Sequence, residues 1–231
     1  MQYEFNPYRV CKVQDNVAPG LAKRLENSRI RRDLILVSAA HLIDEDGIEN
    51  LTLTKLAQRA NVTVPTIKNL IGKKSELLDV LVNETMQQVA DAAHLIDASD
   101  PIDFIQSLAD RLIALLQTDE TLFRAAFLVG ERTGFFEHKS ESGIYQRSLK
   151  IAQDMCEKAL DSGANEGLIG SRKLAKSLFA VQRLARQDWM NRYTTLDEYR
   201  NQLKTGMLIV LCADATPEFK ARVVAEIDRL T

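Results

Sequence analysis

The chain has 231 residues, 45% of them apolar and 27% charged, with 10 Gly and 5 Pro. That is enough for a sizeable core, and the low glycine, proline and aromatic content favours helix over strand and disfavours collagenous or disordered chains. Charge nearly cancels at −2, and three scattered cysteines, Cys11, Cys156 and Cys212, argue against a disulfide framework or zinc finger and for a reducing, cytoplasmic setting. Residues 1–7 lack the apolar run of a signal peptide, and the most apolar stretch, 207–213, is too short to span a bilayer.

In chain order, residues 1–27, with Pro7, Pro19 and Gly20, read as an irregular arm. A first helix begins near Asn27 or Ser28, carries Ile35, Leu36, Ala39, Leu42 and Ile43 on one face, and ends at Gly47. Two short helices follow. Thr52 caps one with Leu53, Leu56, Ala57 and Ala60, and Thr63 caps another with Pro65 in its first turn and Ile67, Leu70 and Ile71 as apolar positions. Gly72 stops the second, and Ser75 starts a longer helix towards His94.

Further helices start at Asp100 and Asp119, separated by a loop over 130–143 from one over 144–160. The last three run from Ser171, Leu196 and Thr216. No β-branched alternation competes with this pattern, so the expected fold is all-α with about ten helices. The expected organisation is an arm (1–27), a helix-turn-helix head (28–74) and a larger helical body (75–231).

Charge is segregated within the head. Between Thr52 and Lys74 lie Lys55, Arg59, Lys68, Lys73 and Lys74 with no acid, and Lys23, Arg24, Arg29, Arg31 and Arg32 face Glu26 alone. Such local basicity suits a polyanion met by one face. Two short helices joined by a tight turn form a helix-turn-helix. Asn61 supplies a left-handed turn residue, Ala57 permits close approach, and Leu56, Val62 and Ile67 hold the crossing.

Residues 35–81 resemble the DNA-binding region of the tetracycline-repressor (TetR) family of bacterial transcription regulators. The resemblance rests on Ala39, Gly47, the Thr52, Leu56 and Ala57 spacing, the turn at Asn61, Val62 and Thr63, then Pro65, Thr66 and Ile67, and Lys74. It implies that Thr52, Thr63 and Lys74 meet phosphates while Val64, Pro65, Thr66, Lys68 and Asn69 face base edges. The family commonly has tyrosine at position 68 and aromatics at 70 and 71; here stand Lys68, Leu70 and Ile71.

For the body, the resemblance implies a homodimer and a small-molecule effector pocket. Residues 171–213 are the expected dimer surface, with Leu174, Leu178, Val181 and Ala185 as its stripe and 207–213 apolar on every side. Pocket candidates are Phe104, Phe123, Phe127, Phe179 and Trp189, with Arg124, Gln182 and Arg183 as polar anchors. The sequence offers no nucleophile, phosphate-loop or metal motif, so no enzyme, cofactor or metal is expected. The function expected is a ligand-responsive repressor working as a homodimer on an inverted-repeat operator. The competing reading is a helical ligand-binding or scaffold protein whose head has lost sequence-specific DNA binding.

Overall fold

A computed structural model describes residues 19–94, 96, 99–136 and 143–230. Among these are ten helices: α1 (Pro19–Asp46), α2 (Leu53–Arg59), α3 (Val64–Leu70), α4 (Lys74–His94), α5 (Pro101–Thr118), α6 (Glu120–Arg132), α7 (Ile144–Asp161), α8 (Ser171–Met190), α9 (Leu196–Cys212) and α10 (Pro217–Arg229). No strand occurs among the described residues; Asn165 and Ala215 form a single β-bridge. The all-α expectation stands.

The chain divides into two compact units. Of the described residues, one holds those up to 88 together with 118–133, the other those within 89–117 and from 134 onward.

In the first unit the apolar face of α1, with Ile35, Leu36, Ala39 and Ile43, is buried with Leu56 and Ala57 of α2, Ile67 of α3 and Leu77, Leu81 and Val82 of α4. Helix α6, whose Phe123, Ala126 and Phe127 are buried, packs along α1. One boundary departs from the sequence reading. Helix α1 begins at Pro19, so residues 19–27 are helical rather than irregular. Proline is tolerated in a first turn, and the exposed Lys23–Asn27 segment has no apolar stripe to reveal its helix. At the other end Gly47, at φ +84°, donates to Ile43 at 3.0 Å and stops α1 where expected.

In the second unit α8 packs against both α7 and α9, and α10 against α9. Its core includes Met155, Leu174, Leu178, Trp189, Tyr199, Leu203, Leu208 and Leu211. A capping box, with Thr195 and Glu198 exchanging bonds, opens α9. Buried Asp214 accepts from the Gly167 and Ile169 amides at 3.1 and 2.8 Å, fastening the α7–α8 connection to the end of α9. Leu174, Leu178 and Ala185 are buried inside this unit, so the stripe expected to face a second copy serves the intrachain core. Exposed large apolar side chains of this unit include Leu184 on α8 and Ile209 on α9, 61% and 57% exposed, besides Leu160, Leu168, Tyr193 and Val224.

Candidate nucleic-acid interface and effector cavity

The head is built around two caps. Thr52 Oγ1 accepts from the Lys55 amide at 3.2 Å and Thr63 Oγ1 from the Thr66 amide at 3.3 Å, each satisfying an otherwise orphaned first-turn donor. The Thr63 and Thr66 hydroxyls lie 2.8 Å apart. Between the helices Asn61 takes φ +51°, the left-handed conformation that its short polar side chain tolerates. Ile67 is fully buried and turns the opposite face of α3 outward, leaving Pro65, Lys68 and Asn69 exposed and Val64 and Thr66 half-buried.

The basic run is less free than the sequence suggests. Arg59 makes two bonds to Glu45, at 2.5 and 2.7 Å, and Lys55 meets Asp46 at 3.1 Å. The Arg59 hydrogen bond holds the Glu45 carboxyl below its usual range, so the pair is ionised at neutral pH. Lys74 donates to the Ile48 carbonyl at 2.9 Å, which anchors the start of α4 on the chain after α1. Lys68 is exposed on α3.

The helical N-terminal extension adds residues that the motif did not single out. Arg24, Asn27, Ser28 and Arg31 of α1 line an open groove together with Thr66, Asn69 and Leu70 of α3. The basic count over 23–32 signalled this surface; the missing information was that the segment is helical and lies beside α3.

The second unit contains a cavity of about 100 Å³ among α4, α5, α7, α8 and α9. Of the residues expected to form a pocket, it brings together Phe104, Phe179 and Gln182. Leu108, Ser148, Met155 and Met207 join them. Phe123, Arg124 and Phe127 lie on α6 in the first unit, where Arg124 pairs with Glu120 and stands 3.8 Å from Asp44. Trp189 is fully buried and stacks on Tyr199 at 5.9 Å, and Arg183 is exposed. Aromatics at helical spacing carried no sign of which face the cavity would use.

Comparison with known proteins places this architecture. No family model matches the chain. It is 32% identical over 79 residues to the HTH-type transcriptional regulator BetI of Burkholderia thailandensis, covering 33% of this chain and 40% of that protein. It is 36% identical over 59 residues to the class D tetracycline repressor of Escherichia coli, covering 26% and 27% respectively. The matches thus span less than half the length of these relatives.

Solved structures match far more of the chain. A TetR-family transcriptional regulator from Marinobacter aquaeolei VT8 superposes with a TM-score of 0.65 at 18% identity, covering 86% of this chain and 98% of that one. SmeT, the repressor of a Stenotrophomonas maltophilia multidrug efflux pump, gives 0.62 at 18% identity over 81% and 92%. A γ-butyrolactone receptor described as ArpA-like gives 0.61 at 19% identity over 88% and 97%. The chain has the fold of TetR-family transcriptional regulators, and the resemblance carried by residues 35–81 stands.

Proposed function

We propose that this protein is a ligand-responsive, sequence-specific DNA-binding transcriptional regulator, acting as a homodimeric repressor on an inverted-repeat operator in the cytoplasm. The observation that carries the reading is α3 itself: a short helix with Ile67 buried beneath it, its Pro65, Lys68 and Asn69 face open to solvent, and a groove lined by Arg24 and Arg31 alongside. A recognition helix needs this division between an anchored back and a polar front. In this reading Val64, Pro65, Thr66, Lys68 and Asn69 face base edges, while Thr52, Thr63 and Lys74 meet phosphates, with Arg24 and Arg31 adding charge.

One such head reads half a site. Two copies present heads about 34 Å apart when they share a symmetric interface. The outward Leu184 and Ile209 of α8 and α9 support a dimer there, because α10 packs on α9 and still leaves Ile209 uncovered. The cavity supports the effector's place, and an effector acts by its differential affinity for the DNA-binding and released states. No helix among the described residues is long and apolar enough to cross a membrane, and none of their His, Cys, Asp and Glu side chains group as a metal site.

The test is duplex binding titrated against salt. Lys68→Ala is expected to weaken binding and relax the preference for the base pair it faces, while Arg31→Ala is expected to reduce the slope of log K against log salt by about 1.8, one phosphate contact in each half of the dimer. Binding and base preference both unchanged in Lys68→Ala would remove α3 from the interface.

A further inference from the structure

The cavity of the second unit is chemically one-sided. Its wall is lined by apolar side chains, Ala93, Phe104, Met155 and Phe179 among them, interrupted only by Ser148 and Gln182. No charged side chain lines it. An ion brought into such a wall loses its hydration and meets no countercharge on the wall itself. An uncharged ligand escapes that cost and gains from every apolar group it buries, about four-fold in affinity for each methylene.

The polar atoms give the ligand a direction. The Tyr199 hydroxyl is wholly buried, lies beside the Gln182 side chain and lacks a hydrogen-bond partner of good geometry. Burial pushes its ionisation up to about 12, so it remains a donor across the physiological range. A glutamine carries one acceptor oxygen and an NH2 with two donors. One of the Gln182 polar groups lies against Tyr199, and the rest of its amide is left for the cavity. The complementary group on a ligand is then a single hydrogen-bonding oxygen, and the Ser148 hydroxyl is a second polar contact on the wall.

We infer that the cavity takes an uncharged, mainly apolar molecule bearing one hydrogen-bonding oxygen, such as a hydroxyl, with Gln182 as the residue that holds that oxygen. The inference deepens the effector reading above and rests on it for any effect on DNA. The volume of about 100 Å³ is of the order of a cavity that admits benzene. A single ring therefore serves as the probe.

The experiment measures binding of toluene, benzyl alcohol and benzoate to the full-length protein without DNA, by ligand-observed NMR at pH 7.5. Benzyl alcohol is expected to bind and benzoate to bind at least a hundred-fold more weakly. In Gln182→Leu, benzyl alcohol is expected to weaken about ten-fold while toluene changes less than two-fold. Ala93→Phe, which fills the cavity from another wall, is expected to abolish binding of both neutral probes. Benzoate binding as tightly as benzyl alcohol would overturn the inference. Failure of both neutral probes to bind up to their solubility limits would overturn it too, as would equal losses for toluene and benzyl alcohol in Gln182→Leu. Release of DNA is scored separately: a neutral probe that occupies the cavity but leaves the DNA complex intact contradicts the effector reading and leaves the ligand class standing.

Discussion

Lys74 and Lys68 illustrate how one residue type at two positions does different work. Lys68 is exposed on α3, whereas Lys74 donates to the Ile48 carbonyl in a half-buried setting. Lys74→Ala is therefore expected to lower stability by about 1 kcal/mol through the lost hydrogen bond, while Lys68→Ala leaves the melting temperature within a degree of the parent. Differential scanning calorimetry separates the two, and equal melting temperatures for both variants would contradict the anchoring role. Thr63→Ala removes the α3 cap and is expected to cost about 1 kcal/mol in urea unfolding. Its caps, the Asn61 turn and the buried Ile67 were legible in the sequence because each is a local rule. The pairing of Arg59 with Glu45 and of Lys55 with Asp46 was not, because it joins residues 14 and 9 positions apart across two helices.

Elements were legible where they bury a periodic face. Helices α5 to α10 start and stop near their Asp, Thr, Gly and Pro signals because those residues satisfy or terminate backbone bonds locally. The N-terminal extension of α1 escaped notice since Leu25, the one large apolar residue of 23–27, is 56% exposed and forms no inward stripe. The α8 stripe was visible as apolar but its partner was not: periodicity says that a face is covered, never by which chain. A close approach fixes that packing. A Cβ added at Gly206 of α9 would lie 2.6 Å from Val181 Cγ1 of α8. Gly206→Ala is expected to be destabilising by about 1–3 kcal/mol despite alanine's better helix propensity. By thermal unfolding this is a drop of roughly 2–12 °C; an unchanged or raised melting temperature would mean that the two helices separate without cost.

At the scale of the whole molecule, the proposed assembly depends on surface that one chain leaves open. Leu184→Glu with Ile209→Glu places charge at two exposed apolar positions without touching the core. The double variant is expected to sediment as a folded monomer with unchanged far-UV circular dichroism, and to lose the affinity that comes from joining two half-sites. A variant that stays dimeric would move the interface elsewhere. The all-α fold was readable because helical periodicity and its punctuation run along the chain; the cavity's lining was not, since it depends on how five separate helices converge.

The most direct test of the central claim is selection of genomic DNA fragments by the purified protein, repeated at low and moderate salt. Recovery of an inverted repeat with fixed half-site spacing at both salt concentrations is the predicted result. Binding that lacks any shared motif and vanishes at moderate salt, or no binding at all, would contradict it.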